Sequence, residues 1–220
     1  MNYRAIIFDM DGTIVDTENL WRQASRTIIS NRGYVLSEQE ELLLQESLPG
    51  IGLFNSCKLI KDVIKTDDSV EILMKEKAAI ACQLYETGIC FIDGFPEFYK
   101  KAAEIPLKMA IATNATIQTM EITDKSLNLS QYFGKHLYTI NHVNNIGKPN
   151  PAIYLYAAKQ LGIDPKQCIA IEDSGHGILA AKTAGMFCIG INTGKDLEKI
   201  KNADLTVECY EDINLTALLK

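Results

Sequence analysis

The sequence is poor in the features that would mark a nucleic-acid binder, a membrane protein or a zinc protein. Basic residues are outnumbered, 22 Lys and Arg against 28 Asp and Glu, leaving a net charge of −6. A general nucleic-acid binder shows the opposite excess. No apolar run approaches the roughly 20 residues needed to cross a bilayer. The Met1-Asn2-Tyr3-Arg4 start leads into a strand-like segment with no tripartite secretory pattern. The six cysteines (57, 82, 90, 168, 188, 209) are scattered and form no C-x-x-C pair, which argues against zinc and against a dense disulfide framework. Cys168 and Cys188 fall inside apolar runs and read as small buried hydrophobes. A reducing, cytoplasmic setting is expected. Arginine is scarce as well, at 4, 22, 26 and 32 only, and Trp21 is the single tryptophan. What remains is globular in composition: 220 residues, 47% hydrophobic and 23% charged, which suits one large domain or two unequal ones.

Short apolar runs recur at Ala5–Phe8, Leu107–Ala112, His136–Ile140, Cys168–Ile171, Phe187–Ile191 and Leu205–Val207. Their hydrophobicity is continuous rather than alternating, as in parallel strands covered on both faces. Helix-like segments lie between them near 95–104, 117–128, 151–162, 176–185 and 195–202. Gly162 and Gly185 stand where C-terminal caps belong, and Pro151 suits a first helical turn. Alternation of this kind predicts an α/β fold with a doubly wound, mostly parallel, Rossmann-like sheet. From 16 to 88 the rhythm changes. No strand-like run appears, but amphipathic periods do, as in Leu20, Ala24, Thr27, Ile28 and in Leu59, Ile60, Val63, Ile64, and Ser37 with Glu40 forms a capping box. The expected organisation is therefore a catalytic core of 1–15 and 89–220, with a small all-helical cap domain at 16–88.

The chemistry gathers at strand ends. The first strand finishes Asp9-Met10-Asp11-Gly12-Thr13, the second Thr113-Asn114; Lys148-Pro149 follows the third, and the fourth finishes Glu172-Asp173-Ser174. Ligands of open α/β sheets bind at the carboxyl ends of strands. A pair of aspartates alone could be a solvated strand-to-loop junction. Together with a hydroxyl, a lysine and a second acid pair, it is an inventory for covalent phosphoryl transfer. Two unit charges 4 Å apart interact by about 4 kcal/mol at an effective dielectric of 20. Four carboxylates would therefore repel a phosphate unless lysine and a hard divalent cation offset them. Oxygen ligands select Mg²⁺ over zinc.

With those motifs in order, the chain resembles the haloacid dehalogenase-like hydrolase superfamily, in its phosphatase branch with a helical cap after the first motif. The resemblance spans essentially the whole chain and implies a Mg²⁺-dependent phosphomonoesterase acting on a sugar or sugar-alcohol phosphate through an aspartyl-phosphate. It implies Asp9 as nucleophile, and Asp11 as the acid that protonates the leaving alcohol and then activates water. Thr113 and Asn114, with Gly12 and Thr13 of the first loop, would bind the phosphoryl group, and Lys148 would neutralise it. Asp9, Asp11 and Asp173 would hold the metal, with Glu172 either a ligand or a partner behind it. In the cap, Glu18, Trp21 and the Ser47–Gly52 turn around Gly50 would contact substrate. Helix capping for Glu18 and core packing for Trp21 are the plainer alternatives.

A mutase that handles a bisphosphate needs a second phosphate clamp, usually arginine. None stands in the Ser47–Gly52 turn, and Trp21 occupies the position, ten after Asp11, where the sugar-phosphate mutases carry histidine. The phosphomutase is thus the alternative reading. A dehalogenase has no use for Asp11, and a non-catalytic aspartate-phosphorylated signalling module, or a retired enzyme serving interaction, fits the length or the residue inventory less well. Gly175-His176-Gly177-Ile178-Leu179-Ala180 has the form G-x-G-x-x-A, but it follows an acidic pair late in the chain rather than opening the sheet. His176 reads as a solvated helix-opening residue or a group orienting Asp173. The expected partner is a small phosphorylated metabolite, with no nucleic acid or membrane, acting on a monomer or weak homo-oligomer.

Overall fold

Ala5-Ile6-Ile7-Phe8 carries no polar side chain on either face, and in the computed structural model it is the fully buried strand β1 in the interior of a parallel sheet. Residues 3–48 and 52–219 are described. After β1 (Ala5–Phe8) come α1 (Glu18–Asn31), α2 (Glu38–Ser47), α3 (Gly52–Ile64) and α4 (Val70–Gly88). Next are α5 (Phe95–Ala103), β2 (Lys108–Ala112), α6 (Ile117–Leu127), α7 (Leu129–Phe133), β3 (Leu137–Tyr138) and α8 (Ala152–Leu161). The chain ends with β4 (Cys168–Glu172), α9 (Gly175–Thr183), β5 (Phe187–Ile191), α10 (Leu197–Ile200), β6 (Leu205–Val207) and α11 (Leu215–Leu218). Contacts divide it into two units, Met1–Asp16 with Cys90–Lys220, and Thr17–Ile89.

In the first unit the strand order is β3-β2-β1-β4-β5-β6, with every pairing parallel. The period of two sends alternate residues of β1 to opposite layers. Ala5 and Ile7 join Ala110, Ala170 and Cys188 against α8 and α9, whose inner faces are Ile153, Ala157, Ala158, Ile178 and Ala181. Phe8 points the other way, 5.8 Å from Phe95 of α5 and 5.7 Å from Phe133 of α7, ring centre to ring centre. Each such buried Ile or Phe contributes about 1.5–3 kcal/mol. The sheet is built outward in two directions from β1 and β4, so the loops after these neighbouring strands diverge and leave a crevice. Phe8 pairs with Ile171. The next residues, Asp9 just beyond β1 and Glu172 at the end of β4, therefore lie side by side.

The second unit is all helical. Leu20, Ala24 and Ile28 of α1 are buried, while Thr27 is exposed with its hydroxyl on the Gln23 carbonyl; Ser25 and Ile29 complete the inward stripe instead. Ile28, Ile29, Leu44, Cys57, Ile60, Ile64 and Leu73 form the core. Ser37 and Glu40 make the expected capping box at the start of α2. Arg32 closes α1 against α4 through Asp68 at 2.6 Å and Glu76 at 2.7 Å.

The third strand is shorter than its apolar run: only Leu137 and Tyr138 pair, and Ile140–Val143 turns as 3₁₀. The 195–202 helix is one turn, Leu197–Ile200. Asn128 in the left-handed conformation ends α6 and starts the unanticipated α7. Cys168 and Cys188 are fully buried, and burial pushes the Cys168 thiol up to about 12, as befits an inert packing residue. Among the described residues no helix is long and apolar enough to cross a membrane.

Candidate active site

The loop after β1 is fastened from four directions. Gly12 has φ +82°, and a Cβ there would run into the Asp173 carboxylate, so both its conformation and its neighbour require glycine. Thr13 is fully buried, and its hydroxyl donates to Asp173 Oδ1 at 2.9 Å. The Thr193 hydroxyl donates to the Gly12 carbonyl at 2.6 Å, and the buried Tyr210 hydroxyl to the Thr13 carbonyl at 2.8 Å. Sequence reasoning passed over Thr193 and Tyr210, because nothing local distinguishes them from other surface threonines and core tyrosines. Within this frame Asp9 is 8% exposed, and its amide donates to the Ile171 carbonyl.

Lys148 supplies the counter-charge. Its side chain is 4% exposed, and its ammonium donates to Asp9 Oδ1 and, at 2.6 Å, to Glu172 Oε1. Asn114 contributes from the side: its Oδ1 accepts from the Lys148 backbone amide at 2.9 Å. Thr113 follows β2, the strand next to β1, and is buried; its Oγ1 accepts from the Ala115 amide at 2.9 Å. Glu172 is fully buried, and its Oε2 accepts from the Ser174 amide and hydroxyl. His176 is exposed at the start of α9. Asp9, Lys148 and Glu172 thus form one hydrogen-bonded group, with the Thr13–Asp173 pair beside it.

Its electrostatics are those of crowded acids. Burial, reinforced by Glu172, Asp173 and Asp11, pushes the Asp9 carboxyl well above the usual range, with Lys148 pulling the other way. Burial and then Glu172 raise Asp173 to about 7. Burial opposes the Lys148 charge, but Asp9 and Glu172 outweigh it and hold the amine above its ordinary value. One cation is too few for this many carboxylates. Asp9, Glu172 and Asp173 each offer an oxygen, all within 4.8 Å of one another. Glu172 already spends both oxygens on hydrogen bonds from the chain. That leaves Asp9 and Asp173, an all-oxygen pair that suits Mg²⁺, since that ion takes one or two carboxylates and completes its shell with water and phosphate.

The glycine-rich run after β4 has a structural reason unconnected with nucleotides. A Cβ on Gly177 would overlap the Glu172 carboxylate. Gly177 lets the first turn of α9 close over that buried acid. Gly177→Ala is expected to cost about 1–3 kcal/mol, the scale of overpacking a core, and to lower turnover as Glu172 moves. Melting temperature and initial rate measured together check this; an alanine variant with both unchanged would contradict the contact.

A sequence profile of the haloacid dehalogenase-like hydrolases matches residues 6–191. The chain belongs to this family. Among individual proteins, it is 28% identical to the validoxylamine A 7′-phosphate phosphatase of Streptomyces hygroscopicus subsp. limoneus over 96% of both chains. It is 29% identical to a phosphorylated carbohydrates phosphatase of Thermotoga maritima, over 88% of this chain and 89% of that one. A solved structure from Thermotoga maritima, described as a candidate β-phosphoglucomutase, superposes with a TM-score of 0.78 at 26% identity, covering 99% of this chain and 100% of the other. The strand-end acids and the lysine fall within the matched stretch, residues 6–191.

Of the residues expected in the helical unit, Gly50 lies outside the described residues. Glu18 is the first residue of α1, and its side chain also lies outside the described set. Trp21 is half-buried, with the Lys77 ammonium 5.8 Å from its ring centre. Lys77 was not anticipated, since a lysine on an amphipathic helix reads as solvated. It is 3% exposed, and its hydrogen-bond partner among the described residues is the Ser56 hydroxyl at 2.8 Å. Burial lowers its amine to about 8. A folded-state value below the ordinary 10.5 means that the unfolded chain holds the proton more tightly, so stability is expected to rise as pH climbs from about 8 to 10.5. Lys77→Met should raise stability at pH 7 by about 1–3 kcal/mol and erase that rise, which denaturant melts at pH 7 and 10 would measure.

Proposed function

We infer that the protein is a phosphomonoesterase that hydrolyses a small phosphorylated metabolite, a sugar or sugar-alcohol phosphate, with Asp9 as nucleophile. The observation that carries this reading is the buried Asp9–Lys148–Glu172 group beside Asp173 at the switch point of the sheet. A carboxylate is a weak nucleophile that phosphate would repel. Here Lys148 offsets the repulsion and orients one Asp9 oxygen. The other half of the design is proton supply. In the first step an Asp9 oxygen bonds to phosphorus, the ester P–O bond breaks, and Asp11 gives its proton to the departing alkoxide. In the second, water attacks phosphorus, Asp11 takes a proton from it, and the Asp9–phosphorus bond breaks to release inorganic phosphate. Asp11 must be protonated for the first step and ionised for the second, and each proton transfer prepares it for the other.

Thr113 and the Asn114 amide are assigned to the phosphoryl oxygens. Mg²⁺ would be held by Asp9, Asp173 and the Asp11 carbonyl, and when bound it offsets charge on phosphate and carboxylates. Glu172, whose two oxygens already accept four hydrogen bonds from the chain, is assigned to the rank behind them. Recognition of the rest of the substrate is assigned to the helical unit, to Glu18, Trp21 and Gly50. The name of one relative, a phosphorylated carbohydrates phosphatase, supports the substrate class.

The decisive experiment is phosphate release over a panel of sugar, polyol, nucleotide and short acid phosphates with Mg²⁺, with the same samples analysed for isomerised product. Hydrolysis of sugar or polyol phosphates without isomerisation is expected. An isomerised sugar phosphate would replace this reading with a phosphomutase, and inertness toward every ester would refute it.

A further inference from the structure

Tyr154 has no place in the scheme above, yet it touches two of its members. It is fully buried on α8, six residues beyond Lys148. Its hydroxyl donates to Glu172 Oε1 at 2.8 Å and accepts from Lys148 Nζ at 3.3 Å. The same ammonium stands 4.8 Å from the centre of the tyrosine ring. An ionised carboxylate has about four lone-pair positions. The chain fills all four on Glu172: Lys148 and Tyr154 on Oε1, the Ser174 amide and hydroxyl on Oε2. Glu172 is therefore fixed in direction, and the Tyr154 hydroxyl is the part of that fixation that also meets the lysine.

This matters because lysine is a flexible point charge on a four-carbon stem. Set between two carboxylates, its ammonium can shift toward either one. Catalysis needs it on the Asp9 side, where charge gathers as the phosphoryl group transfers, and catalytic groups must be held to within about 0.5 Å of the productive geometry. Resting on the phosphomonoesterase reading, we propose that Tyr154 is a positioning residue that acts through Glu172 and Lys148: its hydroxyl anchors the carboxylate and its ring seats the ammonium, keeping Lys148 aimed at Asp9.

The test uses the full chain with Mg²⁺ and p-nitrophenyl phosphate or the best substrate of the panel. Tyr154→Phe keeps the ring and removes one oxygen. Loss of a hydrogen bond to a charged group should lower kcat about tenfold, with KM within about twofold. Inhibition by orthovanadate, which resembles the five-coordinate transition state, should weaken about tenfold, and inhibition by inorganic phosphate by less than about threefold. In a Lys148→Ala background the same change should have almost no further effect on kcat, because the group it positions is gone. Retained kcat and vanadate inhibition in Tyr154→Phe, with only the melting temperature lowered, would overturn the proposal, as would losses that multiply in the double variant. Wild-type activity in Lys148→Ala alone would instead bring down the catalytic reading beneath it.

Discussion

Asp9→Asn is expected to reduce phosphate release by at least about 10⁴-fold, the scale seen when an enzyme loses its nucleophile, while the chain still folds. The amide matches the carboxylate in size, so the end of β1 keeps its packing, and its backbone bond to Ile171 is untouched. What disappears is the carboxylate electron pair that the proposed mechanism directs at phosphorus. Stability should change little, because two effects oppose each other. Asparagine removes the cost of burying a charge, and with it the repulsion from Glu172, Asp173 and Asp11, which together hold the Asp9 carboxyl high. It also deprives Lys148 of one of its two ion-pair partners, leaving Glu172. Steady-state phosphate release and a thermal melt on the same preparation separate these effects. Turnover within tenfold of wild type would exclude Asp9 as the nucleophile.

Removing divalent metal is expected to slow turnover by about 10³-fold, equivalent to the several kcal/mol a Lewis acid supplies, with recovery on adding Mg²⁺. Recovery by zinc alone would contradict the all-oxygen ligand set. Metal removal should also alter how stability depends on pH. Asp173 in the folded chain sits at about 7, above the ordinary 3.8. Between those values the native state holds the proton and the unfolded state does not, so native stability falls as pH rises through this window. At 1.36 kcal/mol for each tenfold change in proton affinity, this window sets an upper scale of about 4 kcal/mol. Chelated protein should therefore melt lower at pH 8 than at pH 5. Mg²⁺ binds the ionised acids and should restore most of the difference at pH 8. A chelated protein that gains stability from pH 5 to 7 would refute the crowding of acids around Asp173. The rise expected from Lys77 lies above pH 8 and does not overlap this window.

Much of the sheet was legible because a strand buried on both faces leaves a continuous apolar run in consecutive residues. Ala5–Phe8, Cys168–Glu172 and Phe187–Ile191 each form a strand at the position of such a run. The capping box of Ser37 and Glu40 was equally local. Legibility failed where the deciding partner was remote. Only two residues of the His136–Ile140 run pair, since β3 is an edge strand with a single neighbour. Thr27 has the spacing of a buried residue, but α1 presents Ser25 and Ile29 inward instead.

The candidate site divides along the same line. The residues to which chemistry is assigned were visible in the sequence, because the carboxyl ends of parallel strands concentrate polar groups at recognisable positions: Asp9, Asp11, Thr113, Lys148, Glu172 and Asp173. Which groups hold them was not. Tyr210 reaches the Thr13 carbonyl across 197 residues of chain and Thr193 the Gly12 carbonyl across 181, and Gly177 and Tyr154 acquire their meaning only from the position of the Glu172 carboxylate. The sequence by itself therefore determined most of the strands, the helical segments and the side chains to which chemistry is assigned, since periodicity and strand-end polarity are properties of neighbours in the chain. The tertiary structure alone decided the burial of Lys77, the four hydrogen bonds that saturate Glu172 and the fastening of the Asp9 loop, because each depends on atoms that only folding brings within hydrogen-bonding distance.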